Sequence, residues 1–501
     1  MSDQRERERA KIDGRAAFAG AAYLMGIGLI DLLARVGAPD GLVRGLGPLF
    51  ALTGLALLGV LTRSTRVPAF FAADRAVPAP YAGLAFAGIA AGLILCLDPA
   101  GGSPLPLAGV AAGLAIGALG VGPALRAINA SALSDLLATR FPNRVLKLYF
   151  AGLLFAIGAL VAAAGFGAAL DAFTELFAPS RGAAATIIAI ILALMVVPGG
   201  LAGLLWAGAA SAGVLIIILA LPIATQLLAG DSAIAPLMRD AGIWGDALAR
   251  AWGASAVGDS KAHLLVVFAS ALSIAALPPL ASPAVGNFGA PQAVRSGAFG
   301  LVFATFISLT TFGDLVFWPP AITPMNDGLK SSAMLLAALM LAAAGAHSAS
   351  RAWGTSAVGA YERYMPLASQ RLARSRTLAL LVIALCASLT ARTIVEPKLL
   401  LFIAAALSLS LVAPALAVAA SERANSAHGA AAALISLATA VGLAVLEGRI
   451  PEPEKLLIGA LCAAATGFIV GWSAAIFSPR RRGPSPARRD LFLDAPLDAG
   501  R

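Results

Sequence analysis

PYAGLAFAGIAAGLILCLDP, residues 80–99, is the stretch from which the fold can be read. Its twenty residues carry one charge, Asp98, and that charge sits near the far end. A helix needs about 20 predominantly apolar residues to cross a hydrocarbon core of about 30 Å. Comparable runs occur at 15–36, 41–63, 104–123, 146–177, 183–199, 201–229, 262–282, 295–317, 328–352, 376–393, 397–419, 427–446 and 456–477. That makes fourteen spans. With 59% hydrophobic and 12% charged residues and a mean hydropathy of +0.87, the composition excludes a water-soluble chain. The sequence predicts an all-α integral membrane protein with about 14 transmembrane helices.

The charges between the spans give an orientation. With the N-terminus inside, the inward gaps hold 24 of the 36 Lys and Arg residues and the outward gaps hold 11, while Arg351 falls within a span. This positive-inside bias places both termini in the cytoplasm of a bacterial-type inner membrane. A net charge of +10 would also suit nucleic acid, but the basic residues are scattered along one membrane face, so they read as topology determinants beside anionic headgroups. Met1–Arg15 is charged and leads into a full-length span, so no cleavable signal peptide is expected. Cys96, Cys386 and Cys462 each sit in an apolar span without metal spacing and read as packing residues. There is no phosphate loop, no zinc spacing and no placed nucleophile and base, which argues against an enzyme.

Spans three to seven and eight to twelve form two sets of five. An odd number of crossings turns the second set over, so a repeat relating them is inverted in the membrane, a transporter plan with its site at the midplane on discontinuous helices. The chain then divides into an arm and two leading spans (1–75), a first repeat (76–229), an extracellular loop (230–261), a second repeat (262–419), two C-terminal spans (420–479) and a basic tail (480–501). Gly83, Gly88 and Gly92 give span three a spacing at which a helix could unwind. SALSDLLATRF at 131–141 is too short to cross and reads as an interfacial helix, with Leu and Phe opposed to Asp135 and Arg140.

Several stretches, in order over 73–390, resemble the sodium:solute symporter family, and most closely its acetate/monocarboxylate permease branch. ADRAVPAPYAGLAFAGIAAG (73–92) resembles the family's GR-x-x-P…NGLA approach to the first core helix. RAINASALSDLLATRFPNRVLK (126–147) is similar to R-x-x-T-x-x-D-x-L-x-x-R-(F/Y) before the third. VVPGGLAGLLW (196–206) resembles the GGM-x-x-x-x-W turn, LPPLASPAVGNFGAPQAVRSG (277–297) the segment after the sixth, and AAAGAHSAS (342–350) the eighth core helix, AA-x-x-S-(S/T)-x-x-S. The resemblance implies a five-plus-five inverted-repeat transporter core and alternating access. It also implies no cofactor beyond a coupling ion, Na+ or H+. Its partners are the lipid bilayer and a small organic solute such as a monocarboxylate, with a small membrane subunit or a second copy as open alternatives. Carried over by position, the sodium ligands fall on the carbonyls of Gly88, Ala91 and Ala344 and on two hydroxyl positions, here His347 and Ser348. Imidazole in place of a hydroxyl removes a hard oxygen ligand, so the scaffold reads as kept and the ion site as degenerate.

His347, Ser348 and Arg351 share a face of span ten. Ionisable groups at membrane depth are costly and usually face the bundle interior or a cavity. One reading has Arg351 or His347 supplying a fixed or proton-switched charge in place of sodium. The other has Arg351 snorkelling to headgroups from the inner end of the span. Gly92, on the first core helix, joins Arg351 as a substrate or gating candidate. Asp98 and Asp314, at the outer ends of spans three and nine, are gate or proton-site candidates or water-facing helix ends. Beside the permease stand a sodium-independent transporter, working by proton coupling or exchange, and a non-transporting sensor or scaffold.

Overall fold

Inside a bilayer, backbone N–H and C=O groups must be satisfied within their own segment, so a chain this apolar folds as helices. The computed structural model describes residues 2–97, 105–128, 130–228, 260–312, 327–357, 368–392, 396–421, 424–447 and 453–477, and among these every regular element is helical. The first half contains α1 (Ser2–Arg35), α2 (Asp40–Leu61), α3 (Val67–Ala72), α4 (Ala79–Cys96), α5 (Leu105–Ile116), α6 (Gly122–Ala127), α7 (Leu133–Arg140), α8 (Arg144–Phe177), α9 (Arg181–Val196) and α10 (Leu201–Leu228). The second contains α11 (Ser260–Ala275), α12 (Pro278–Val285), α13 (Ala290–Phe312), α14 (Asp327–Arg351), α15 (Ala368–Arg392), α16 (Pro397–Leu407), α17 (Ala413–Ala419), α18 (Ser426–Glu447) and α19 (Pro453–Phe477). Single π turns link α5 to α6 (Gly117–Val121), extend α14 (Ala352–Ala357) and link α16 to α17 (Ser408–Val412).

Among the described residues eight helices are long and apolar enough to cross a membrane, or ten if each of two bent pairs counts as one span. The fourteen spans read from the sequence are not reached on this measure. The apolar stretches of α1 and α2 are shorter, Ala17–Ile30 and Gly45–Leu61, and α9 with α10 forms one pair bent by 115°. That bend turns on Gly200, whose φ of +58° lies in the left-handed region that favours glycine, and where a Cβ would come within 2.5 Å of the Phe70 carbonyl oxygen. The expected 230–261 loop and 480–501 tail lie almost wholly outside the described residues.

The discontinuity expected in span three lies elsewhere. α4 is an uninterrupted helix from Ala79 to Cys96, because its glycines are spent on close packing. A Cβ on Gly83 would lie 2.8 Å from the carbonyl oxygen of Ser296 on α13, and one on Gly92 would meet Ala337 of α14. The break falls between α11 and α12, bent by 46° at Leu277. Pro278 and Pro279 have no N–H to continue the ladder, and their rings clash with the preceding turn. The Ser408 hydroxyl donates to the Ala276 carbonyl at 3.3 Å and so satisfies one acceptor at the break.

The helix pairing is reciprocal. α4 packs on α13 through Gly83, and α5 packs on α11 through Gly113, where a Cβ would lie 2.6 Å from the Ala271 carbonyl oxygen. α8 lies against α14, with Gly158, Gly165 and Gly345 admitting the opposite backbone. Small residues of this kind let helices approach closely where lipid gives no hydrophobic drive. The helix read as interfacial, α7, lays its apolar face against the bundle and leaves its other face partly exposed. Leu133, Leu137 and Phe141 are buried against α8 and the 352–357 turn, and Phe141 lies under Gly429 of α18.

Candidate functional site

α14 carries the site. Ala344 and His347 are fully buried, Ser348 is nearly so, and Arg351 is 2% exposed although it lies one turn from the end of the apolar stretch. Arg351 does not reach out to solvent in this structure. It is directed into a cavity lined by α6, α7, α8, α12 and α14, with Leu125, Ser134, Leu154, Ala281, Ser282 and Ser348 in its wall. The cavity has about 10 Å3 of free space, what a single water needs. The Arg351 guanidinium donates to the Ser282 hydroxyl at 3.3 Å, and Ser282 in turn donates to the Pro278 carbonyl at 3.4 Å. Asp135 lies on the first turn of α7 and accepts from the backbone N–H and the hydroxyl of Ser131.

The two side chains among the candidate ion ligands each have a neighbour within the protein. His347 turns its ring onto Phe70 of α3, edge to face at 5.6 Å, and neither ring nitrogen has a hydrogen-bond partner among the described residues. Phe70 also lies 5.7 Å beneath the guanidinium of Arg376, which donates to the carbonyls of Ser64 and Pro198. Ser348 points toward Gly158 of α8 and donates its hydroxyl to the Gly345 carbonyl at 2.9 Å. Gly88 packs against Gly208 and Met340. Within the continuous α4 helix, carbonyls such as those of Gly88 and Ala91 are used by the i+4 ladder. Asp98 and Asp314 lie outside the described residues, and Gly92 is closed over by Ala337.

Ser134, Asp135 and Ser282 were not singled out for the site from the sequence. Their signals were present: Pro278 and Pro279 one turn ahead of Ser282 with Pro283 directly after it, and Asp135 four residues after Ser131. Below the cavity Arg126 donates to the carbonyls of Asn287 and Phe288, both at 2.7 Å, and ties α6 to the segment after α12.

Apolar helices long enough to cross a membrane, a bent span and a buried polar cluster beside the bend make this an all-helical fold of the multi-pass membrane type. Among solved structures, that of a Na+-coupled sialic acid symporter in a substrate-bound, outward-open state is similar to it. The two align with a TM-score of 0.65 at 13% identity, over 89% of this chain and 99% of the symporter. No family model and no curated protein matches the sequence.

Proposed function

We propose that the chain is a secondary-active permease that moves a small organic solute by alternating access on a five-plus-five inverted-repeat core, 76–229 and 262–419. The observation that carries this is the shared fold, which extends over nearly the full length of both chains. The reciprocal pairing of α4 with α13 and of α5 with α11 supports the inverted repeat. So does the break in the first helix of the second set, since discontinuous helices mark the sites of such transporters. The family resemblance makes a monocarboxylate the class to test first. Purified protein in proteoliposomes should take up labelled acetate or a short homologue saturably, above protein-free vesicles. Folded protein showing neither uptake nor counterflow for any short carboxylate would refute the carboxylate permease.

One observation favours sodium-independent transport over symport. The carbonyls of Gly88 and Ala91 remain in an unbroken helix, and the position of one hydroxyl ligand is His347, turned onto Phe70. A ligand that binds only the folded state raises stability by RT ln(1 + [L]/Kd), about 2.7 kcal/mol at a hundredfold excess over Kd. Replacing choline by sodium at constant ionic strength should therefore leave the melting temperature unchanged. A saturable sodium-specific rise would restore symport as the working mechanism.

A further inference from the structure

The two leading helices, α1 and α2, enclose a groove of about 760 Å3. Each gives it one stripe of side chains spaced by whole turns: Arg15, Phe18 and Ala22 on α1, and Phe50, Leu57 and Leu61 on α2. The groove has a floor. The rings of Tyr23 and Phe50 stack at 5.7 Å, the first lying over Gly54 and the second over Gly26. At the opposite end stand Gly14, Arg15 and Leu61, and nothing lies within 4 Å of a Cβ added at Gly14. At about 1.5 Å per residue, Gly14 to Tyr23 is about 14 Å along α1, and Leu61 to Phe50 is about 16 Å along α2. Half of a hydrocarbon core of about 30 Å is the same length, so the groove is as deep as one leaflet.

Its polar groups are nearly all spent. The Thr53 hydroxyl donates to the Leu49 carbonyl at 2.7 Å, and the Tyr23 hydroxyl donates to the Ala51 carbonyl at 3.0 Å. Arg15 is the exception: it is exposed, and no hydrogen bond or ion pair holds it among the described residues. A second exposed cation, Arg63, follows Leu61 by two positions at the same end. The matching occupant is apolar for the depth of one leaflet and anionic at one end. We propose that this groove binds an anionic phospholipid, with an acyl chain running from Arg15 to the Tyr23–Phe50 floor and the phosphate facing Arg15. The positive-inside bias of the sequence assigns that end to the cytoplasmic leaflet, where anionic headgroups attract basic residues. The site stands apart from the permease reading, since a lipid binds there whether or not a solute crosses. Its effect is on packing. α2 is seated on α9 through Gly59, where a Cβ would lie 2.4 Å from the Leu194 carbonyl oxygen. α1 meets α10 beyond the floor, where Leu24 lies against Gly213. The acyl chain therefore supports the part of α1 between Gly14 and Tyr23.

The test is the melting temperature of purified full-length protein in detergent, titrated with dioleoyl phosphatidylglycerol and, in parallel, with the phosphatidylcholine of the same chains. Both lipids should raise it saturably, phosphatidylglycerol with the lower midpoint. Arg15→Gln should raise the phosphatidylglycerol midpoint about fivefold, the scale of one basic residue beside an anionic surface, and leave the phosphatidylcholine midpoint in place. Arg295→Gln, at an exposed arginine outside the groove, should move neither. Ala22→Phe sets a ring just above the floor and should weaken the response to both lipids. Arg15 and Ala22 are exposed, so neither substitution disturbs the packed interior. An unshifted phosphatidylglycerol midpoint in Arg15→Gln would overturn the proposal. So would an equal shift in Arg295→Gln, which would make the attraction a property of the whole basic surface. A wild-type lipid response in Ala22→Phe would overturn it as well, and if that variant also lost mass by light scattering, the groove would belong to a second copy of the chain.

Discussion

Gly165→Ala tests the contact on which the site is built. Gly165 lies on α8 where it meets α14, and an added methyl would stand 2.5 Å from the Ala342 backbone nitrogen, 2.8 Å from the Ala338 carbonyl oxygen and 3.0 Å from the Ala342 Cα. Ordinary contact begins at 3.4 Å, and all three atoms are backbone, so no side chain can turn aside. The helices have to part, by roughly 0.5–1 Å along a packed seam, and overpacking of this kind costs about 1–3 kcal/mol. Replacing a helical glycine by alanine returns about 1 kcal/mol of propensity at most. The net expectation is a loss of about 0.5–2 kcal/mol. Gly28→Ala on α1, with nothing within 4 Å of the new methyl, is the control and should be neutral or slightly stabilising. Ala342→Gly should not rescue Gly165→Ala, since the clash is with the backbone and removing a side chain leaves it in place. Heat-treated samples compared by size-exclusion chromatography in detergent give the ranking. Gly165→Ala surviving as well as Gly28→Ala, or rescue by Ala342→Gly, would refute the reasoning.

Two further outcomes follow from side chains described above. Arg126→Gln loses at least one of two 2.7 Å hydrogen bonds from a buried guanidinium to the Asn287 and Phe288 carbonyls, and should destabilise by about 2 kcal/mol, seen as a lower melting temperature. An unchanged melt would mean the carbonyls are as well served by water. His347→Phe replaces a ring whose nitrogens lack partners among the described residues by one suited to the edge-to-face contact with Phe70, so it should melt no lower than the wild type. A marked loss of stability there would show that the imidazole makes a hydrogen bond, for instance to a buried water.

The all-helical, membrane-type class was legible because hydrophobic length is a direct demand of the bilayer and can be read in one dimension, whereas the fourteen spans counted from it are not reached among the described residues. The local break in the second set was legible in principle from Leu277-Pro278-Pro279, since proline forbids the ladder wherever the helix sits. Glycine carries no such unambiguous message. In α4 the glycine series that suggested unwinding is used for contact with α13 and α14, and only the position of those helices decides between the two uses. The same limit applies to Arg351. Its place near the end of a span suits both a snorkelling and a buried side chain, and what settles its 2% exposure is the cover given by α7 and α12, which are distant in sequence.

The reciprocal pairing has a consequence for how the chain is made. α4 leaves the ribosome long before α13 exists. Between Cys96 and Ala290 lie nearly 200 residues, roughly 10–40 s of synthesis at about 5–20 residues per second. Through that interval the glycine face of α4 meets lipid, and α5 waits in the same way for α11. Insertion into the membrane and assembly of the bundle are therefore separate events in the life of this protein. The first half is committed to the bilayer while the surfaces that define its interior still lack their counterparts.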